Sequence, residues 1–302
     1  MKHFQYIQAA SPAEASSKIS QLGEDEARVI AGGTALVIMM KEKVLTPKIL
    51  IDISQIKSMR GIAYSQDKGL SIGSMATHLE IESSPFVAAH YPSLKDAFHT
   101  IGNVRVRTVG TIGGNLAYAE PQCNPPAILS ALDAIVHTKD SLGKERSIPA
   151  GEFILGIFES ALKPGEMITH VTVPAPRVHS ACSFYKFTTK SSTDKPTSTV
   201  AVYIELDRNH KRAIETRIVV GAVGPKTYRC LKAETFVKES SDIQSLDFKR
   251  AASIAAGEFE PMDDLYGPAW YKKEVTESII RDLLRKTITD AANSAPIEKE
   301  MV

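Results

Sequence analysis

Short apolar runs alternate with polar, helix-like stretches through the first part of the chain. The runs "ARVIAGG" and "KILIDIS" flank the segment "TALVIMMKEK", a pattern that predicts a strand, a helix and a second strand. Before them, "SPAEASSKISQLG" is typical of a helix start: Ser11 caps, Pro12 suits the first turn and Glu14 completes a capping box. Gly23 then stands where helices commonly end.

The pattern changes beyond about Gly61. "GLSIGSM", "DAIVHT" and "MITHVTV" predict short strands, and "SSPFVAAHYPSLKDAFHTI" predicts helical structure between them. "VPAPRV" carries two prolines and indicates a boundary, after which "STVAVYIEL" and "TRIVVGAVG" alternate as sheet strands do. A long helix follows, and "NSAPIEKEMV" is expected to be a loose tail. The apolar stripe predicted for that helix comprises Val275, Ile279, Leu283 and Lys286, widened by Ile280 and Leu284.

Composition narrows the class of protein. With 302 residues the chain has room for about two domains, and 43% hydrophobic with 24% charged residues is typical of a globular protein. A net charge of +1 gives no reason to expect nucleic acid as a partner. We expect no membrane span, because no apolar run is long enough. The cysteines Cys123, Cys182 and Cys230 are odd in number and scattered, which favours a cytoplasmic location.

Two adjacent glycines, Gly32 and Gly33, separate the first predicted strand from its helix. A helix that begins at Gly33 and Thr34 would direct unpaired amides out of the turn. Glycine leaves those amides open to a ligand, and each hydrogen bond to a charged group contributes about 1.5–3 kcal/mol. A tight turn that needs glycine only for its backbone angles is the simpler interpretation.

A second glycine pair changes that balance. "VRTVGTIGGNLAYAEPQCNPPAILSALDA" places Gly113 and Gly114 beside Thr111 and Asn115, and two such sites suit an elongated dinucleotide. Neither motif is a GxGxxG fingerprint or a Walker loop.

Other candidate chemistry is sparse. We expect no metal site, since no CxxC, HExxH or His-x-His pair occurs, and no catalytic triad or paired carboxylates. Cys123 is interpreted as a small loop residue in preference to a redox thiol, and Asp133 as a helix-end residue. Arg105 and Arg107 could steer phosphates or simply lie on a solvated face. Any hard chemistry would therefore be carried by a bound cofactor.

The two motifs, "AGGTALVIMMK" and "TIGGNLAYAEP", together resemble the FAD-binding medium subunit of the molybdenum hydroxylase family, the xanthine dehydrogenase and carbon monoxide dehydrogenase type. The likeness continues through "LSIGSMATHLEIE", "LKPGEMITHVTVP", "GAVGPKTYRCLKAE" and "GPAWYKKEVTESIIRDLL". It implies an α+β fold: a two-subdomain FAD-binding domain (PCMH/vanillyl-alcohol-oxidase-like), then a C-terminal sheet-plus-helices domain. The implied bounds are 1–57 and 58–176 for the subdomains and 177–302 for the C-terminal domain.

The resemblance also implies a binding site for non-covalent FAD, with no catalytic and no metal-binding side chain. Residues 31–35 would wrap the pyrophosphate, Thr111, Gly114 and Asn115 would form a second cradle, and Ile168 and Lys186 would lie near the isoalloxazine. The full implied set is Ile30, Ala31, Gly32, Gly33, Thr34, Ala35, Leu36, Ala76, Thr77, Thr111, Ile112, Gly114, Asn115, Asn124, Ile168 and Lys186.

This chain departs from the family pattern at two points. Asn124 stands where the family usually has an aspartate, and "KSSTDKPTST" lacks the aromatic residue that covers the flavin in some relatives.

The implied role is electron relay within a larger enzyme. A large subunit with a molybdenum cofactor would oxidise a substrate, and a small subunit with [2Fe-2S] clusters would pass electrons to the flavin, in a dimer of heterotrimers. The flavin would pass them to an external acceptor. Two alternatives stay open: a stand-alone FAD-dependent reductase of the same fold, for which no acid–base pair is evident, and a FAD-free scaffold subunit.

Overall fold

A small parallel sheet forms the first part of the chain in the computed structural model, which describes residues 1–23 and 25–294. Its strand order is β1-β3-β2, both pairs parallel. The elements are β1 (Gln5–Gln8), α1 (Pro12–Leu22), β2 (Ala27–Ile30), α2 (Leu36–Lys41) and β3 (Ile49–Asp52).

The predicted helix start at Ser11 is confirmed. Its hydroxyl oxygen accepts from the Glu14 amide at 3.1 Å. The Glu14 carboxylate reaches Ala10, one residue before the cap, at 2.8 Å, so the capping box is displaced by one position.

The predicted start of the second helix is wrong. Helix α2 begins at Leu36, after Ala35 as N-cap, and no side chain caps it. Gly33 has φ +70°, which is outside the right-handed helical region, so the helix can only begin beyond it.

A five-stranded antiparallel sheet follows, with strand order β4-β5-β10-β6-β7. The three strands predicted in this region are confirmed as β5, β6 and β10, whereas the predicted helical stretch is two helices divided at Tyr91–Pro92. The elements are β4 (Ile62–Ser65), β5 (Gly69–Gly73), α3 (His78–Ser83), α4 (Pro85–His90), α5 (Pro92–His99), α6 (Val104–Arg107), α7 (Ile112–Tyr118), α8 (Pro125–Ala131), β6 (Ile135–Lys139), β7 (Glu145–Pro149), β8 (Ile154–Gly156), β9 (Glu159–Ser160) and β10 (Met167–Val173).

The last part of the chain is a four-stranded antiparallel sheet, in the order β11-β12-β13-β14, covered by helices. Both strands predicted from alternation there are confirmed as β12 and β13. The elements are β11 (Ser180–Phe187), β12 (Ser198–Leu206), β13 (Ala213–Gly221), β14 (Tyr228–Arg229), α9 (Leu231–Lys238), α10 (Phe248–Ala256) and α11 (Ala269–Asn293).

The stripe predicted for α11 is rotated from the observed one. Lys286 is exposed, whereas Lys272 and Thr276 are fully buried. Two polar contacts explain the difference: the Lys272 ammonium pairs with Asp264 at 2.6 Å, and the Thr276 hydroxyl donates to Ser198 at 2.8 Å. The buried face comprises Lys272, Thr276, Ile280, Leu283, Leu284, Thr287, Ile288 and Ala291.

Strand β12 is buried on both faces and joins two cores. Val200, Val202 and Ile204 share a core with residues of α9, α10 and α11, and α11 packs directly on β12. Ala201 and Val219 belong to the core of the preceding sheet, where α8 packs against β12 and β13. The C-terminal sheet is therefore a shared layer between two sets of helices.

Two sequence expectations concern membranes and the chain end. Within the described ranges no helix combines the length and the apolar character needed to cross a bilayer. The predicted tail lies outside the described residues from position 295 onward.

Candidate functional site

The first glycine motif forms an open turn at the end of β2. Strand pairing ends where the Ile30 carbonyl accepts from Ile53 at 3.1 Å, and the first bond of α2 runs from the Val37 amide to Gly33 at 3.0 Å. Between these bonds, the amides of residues 31–36 have no hydrogen-bond partner among the described residues. Because unpaired backbone donors are strongly disfavoured in a protein interior, this half-buried row of amides is suited to an anionic ligand.

The two glycines of this motif have different structural reasons. A Cβ on Gly32 would lie 1.8 Å from the Val109 carbonyl oxygen, so the turn packs directly on the chain that leads to the second motif. Gly33 is required by its φ of +70°. Both glycines are therefore explained by the backbone angles and the close packing of the turn. It is the free amides of residues 31–36 that indicate a ligand.

The segment around Ala76 and Thr77 joins this turn to the second motif. The Ala76 carbonyl accepts from the Ile112 amide at 3.0 Å, and Thr77 pairs with Thr111 in an antiparallel bridge. Thr77 also caps α3 through a complete capping box with Glu80. A Cβ on Gly114 would lie 3.8 Å from Ala31 Cβ. The structure thus brings together the predicted residues of positions 30–36, 76–77 and 111–115.

The second motif offers side chains rather than amides. The amides of Ile112, Gly113, Gly114 and Asn115 are bonded to Ala76, Ser74 and Thr111, the last through both its hydroxyl and its carbonyl. The Asn115 side-chain oxygen is buried and has no partner among the described residues. A buried amide oxygen without a donor is costly, so it marks a position where a ligand donor would be accommodated.

Asn124 and Lys186 meet through one residue that the sequence did not indicate. The side-chain amide of Asn124 donates from Nδ2 to the Ala97 carbonyl at 3.0 Å and to the Thr100 hydroxyl at 2.9 Å. The Lys186 ammonium donates to the Thr100 carbonyl at 2.8 Å and to the Ser192 carbonyl at 3.0 Å. Thr100, at the end of α5, therefore fixes the positions of both predicted site residues.

The segment 188–197, in which no aromatic residue occurs, is held by two lysines. Lys186 bonds it at Ser192, and Lys195 within it pairs with the nearly buried Glu120 at 2.7 Å. Burial lowers the pKa of Lys186 to about 8, partly opposed by the charge of Asp194. The Lys195–Glu120 pair spans 75 residues and the Lys186–Thr100 bond spans 86, and no local pattern could have indicated either of them.

His78 is another residue that the motifs did not single out. It is buried beside Gly110, with its amide donating to the Gly110 carbonyl at 2.9 Å. Burial, with a smaller effect of the Arg107 charge, lowers the pKa of His78 to about 4. The imidazole is therefore neutral near pH 7 and adds no positive charge to the site.

The remaining candidates have different surroundings. Ile168 lies in the apolar core, Arg107 pairs with Glu82 at 2.8 Å, and Arg105 is exposed. Burial, with the charge of Glu120, raises the pKa of Cys123 to about 12, which disfavours a reactive thiol. Asp133 follows α8 with φ +58°, as expected for a helix-end residue. No group of three or more His, Cys, Asp or Glu within the described chain is arranged to hold a metal ion.

A cavity of about 770 Å³ lies elsewhere, between the end of α8 and the sheet of β11, β12 and β13. Arg217 lines it, stacked 4.0 Å above the Tyr203 ring and bonded to the Ala131 carbonyl. It contains none of the predicted cofactor residues, so it is separate from the place where the motifs converge.

An α+β fold whose row of free amides, in the first glycine motif, packs against the second motif is suited to a dinucleotide, and comparison with known proteins agrees with a dinucleotide-binding class. The family described as "FAD binding domain in molybdopterin dehydrogenase" matches residues 2–176. The "CO dehydrogenase flavoprotein C-terminal domain" matches residues 183–287. The chain therefore belongs to the family of FAD-binding subunits of molybdopterin dehydrogenases, as the sequence resemblance predicted.

Relatives cover nearly the whole chain. It is 32% identical to the 6-hydroxypseudooxynicotine dehydrogenase complex subunit alpha of Paenarthrobacter nicotinovorans, over 98% of this chain and 97% of that one. It is also 32% identical to the carbon monoxide dehydrogenase medium chain of Hydrogenophaga pseudoflava, over 93% and 96%. A solved carbon monoxide dehydrogenase structure from the same organism superposes with a TM-score of 0.89, at 30% identity and over 95% and 98%. The expected fold and the expected class, an oxidoreductase component, are confirmed.

Proposed function

We propose that this chain is the FAD-binding electron-transfer subunit of a heteromeric molybdenum hydroxylase. It takes electrons from [2Fe-2S] clusters of a small subunit and passes them to an external acceptor, while a large subunit with a molybdenum cofactor oxidises the substrate. A dimer of heterotrimers, non-covalent FAD and a cytoplasmic location belong to the same proposal, as do the domain bounds 1–57, 58–176 and 177–302.

The observation that carries the proposal is the row of free amides at residues 31–36, packed against the second glycine motif. A pyrophosphate supplies oxygen acceptors of the spacing and charge that such amides favour. The first motif would therefore hold the phosphates of FAD through Ala31, Gly32, Gly33, Thr34 and Ala35, with Ile30 and Leu36 at its edges.

The rest of the site supplies polar side chains around this anchor. Thr111 and Asn115 keep side-chain oxygens beside the turn, and the Asn115 oxygen lacks a donor. Asn124 and Lys186, both fixed by Thr100, would orient the cofactor's other end. The Lys186 ammonium, with its lowered pKa, can supply a positive charge there.

When bound, the flavin accepts electrons singly and can release them as a pair. This chain's contribution is to bind and orient it.

The first experiment is an absorption spectrum of the purified chain, with mass spectrometry of the molecule that acid releases. We expect flavin bands and intact FAD, at one FAD per chain. A protein that is colourless and takes up no added FAD would contradict the proposal and favour the scaffold function. Reoxidation of the dithionite-reduced flavin by a small organic substrate in the isolated chain would instead favour the stand-alone reductase.

The relay is tested in the complete complex. Substrate should reduce the flavin only when the iron–sulfur subunit is present, whereas dithionite should reduce it in either case. Flavin reduction by substrate without that subunit would refute the proposed direction of electron flow.

A further inference from the structure

An exposed apolar surface lies beside the second glycine motif. It comprises Ile157 and Phe158 of the β8–β9 hairpin and Met262 and Leu265 of the segment before α11, and we call it the hairpin surface. We propose that the iron–sulfur subunit docks on the hairpin surface through apolar side chains ringed by lysine or arginine. The inference rests on the proposed function and specifies which face of the chain meets the electron donor.

The exposure of this surface is large for apolar residues. Phe158 is 51% exposed, Ile157 48% and Leu265 92%. Ile157, Phe158 and Met262 line one groove of about 180 Å³. Clustered apolar side chains on a protein surface commonly mark a site of interaction with another protein.

Phe158 is held in a conformation that an aromatic residue rarely adopts. Its φ is +56°, in the left-handed region that favours glycine and asparagine. Backbone strain of this kind persists where the surrounding structure enforces it, and it is concentrated at functional positions. An exposed phenylalanine gains little from the free subunit's own core, so a contact made outside the subunit explains its retention.

Leu265 is also presented rigidly. The amides of Asp264 and Gly267 bond to each other's carbonyls, which closes a tight turn with Leu265 in it. Lys272 and Gln122 hold Asp264 at 2.6 and 3.0 Å. Because a preorganised anchor loses little entropy on binding, such side chains are effective at interfaces.

The hairpin surface is close to the proposed cofactor site. The Phe158 amide donates to the Ala119 carbonyl at 3.0 Å, and the Phe158 and Tyr118 rings lie 5.0 Å apart. Ala119 directly follows α7, the helix that begins in the second motif. At about 1.5 Å of rise per residue, Gly114 is only about 8 Å away along that helix, so a partner seated on the hairpin surface would lie beside the proposed cofactor site.

Charge decides the kind of partner. The segments 151–160 and 259–268 carry Glu152, Glu159, Glu260, Asp263 and Asp264 and contain no lysine, arginine or histidine. Asp264 is paired with Lys272, whereas Glu159, Glu260 and Asp263 are exposed. An apolar centre with an acidic rim is complementary to a partner surface with a basic rim.

The test uses the complex purified through a tag on this chain, with the subunits that accompany it, and measures iron, molybdenum and FAD per chain. Phe158→Asn and Leu265→Ser should each lower the iron retained at least tenfold on dilution, with FAD retained. Asn is suited to positive φ, so the thermal midpoint of the free Phe158→Asn subunit should be unchanged or higher. The matched control is Leu142→Ser, which alters an equally exposed leucine in the β6–β7 turn.

Normal iron content in both variants would overturn the inference and leave the proposed function intact. Loss of molybdenum with iron retained, or a change only in self-association, would overturn the choice of partner. Absence of FAD and iron from the wild-type complex would refute both proposals. Charge reversal by Glu159→Lys with Asp263→Lys should weaken retention of iron further at low salt than at high salt, because screening reduces the rim contribution.

Discussion

Replacement of Gly33 by valine tests the first motif most directly. Gly33 has φ +70°, and a Cβ would lie 3.2 Å from Val37 Cγ2 and 3.4 Å from Ile30 Cδ1. Left-handed backbone costs an L-residue about 1–2 kcal/mol, and the branched side chain adds to the crowding. The turn must therefore shift, and the free amides of residues 31–36 shift with it.

The expected effect on FAD follows from the number of amide bonds lost. Each bond to a charged phosphate oxygen contributes about 1.5–3 kcal/mol. Loss of two at the low end is about 3 kcal/mol, which corresponds to roughly a hundredfold weaker binding. Over the same change, the free energy of unfolding of the apoprotein should fall by only about 1–3 kcal/mol.

The assay is titration of apoprotein with FAD, followed by quenching of flavin fluorescence, with urea unfolding as the measure of stability. Gly143→Val is the matched control, because Gly143 has φ +82° and lies in the β6–β7 turn. It should lose comparable stability and keep FAD affinity. Unchanged FAD affinity in Gly33→Val, or equal loss in the control, would refute the assignment of the first motif.

Three further outcomes are expected from other residues. Asn124→Asp removes the side-chain donor to the Ala97 carbonyl and should lower the free energy of unfolding of the apoprotein by about 1–3 kcal/mol in urea; an unchanged free energy of unfolding would contradict a stabilising role for this bond. The pKa of Lys186 is about 8 in the folded protein and 10.5 in the unfolded chain, because burial disfavours the charged ammonium. The contribution of Lys186 to stability is therefore full above pH 10.5, where the amine is neutral in both states, and is lost as pH falls through 8. The stability of wild type relative to Lys186→Met should therefore rise between those values, and a flat difference would contradict the burial of its charge. Since the pKa of Cys123 is about 12, iodoacetamide at pH 8 should modify it a hundredfold or more slowly than a free thiol, as mass spectrometry would show, whereas rapid labelling would reveal an accessible thiolate.

Local signals in the sequence predicted what local contacts determine. Ser11 and Pro12 start α1 as expected because a cap and its helix are neighbours in the chain. The stripe of α11 was misplaced because Lys272 is buried by its pairing with Asp264 and Thr276 by its bond to Ser198. Periodicity counts such polar residues as exposed, and only the tertiary structure shows their partners.

The candidate site divides in the same way. Both glycine motifs were evident from the order of residues, and so was a strand followed by a helix around the first motif, whereas the residue at which that helix begins was not. Other features depend on contacts between residues 24 to 86 positions apart. Val109 packs where a side chain on Gly32 would lie, and Thr100 bonds both Asn124 and Lys186. Such pairings depend on how the sheets and helices assemble in three dimensions. Patterns among residues adjacent in the sequence do not reveal that assembly.

Strand β12 makes the two segments that match the family models, 2–176 and 183–287, depend on each other for folding. Its inner residue Ala201 completes the core below α8, while Val200 and Val202 complete the core below α11. Proteolytic cleavage between residues 174 and 179 would therefore leave the two fragments associated. Either fragment produced alone would expose the apolar surface that the other covers. The chain is therefore expected to be exchanged between enzymes as a whole. A gene divided at that point would yield two halves that fold stably only when they are produced together.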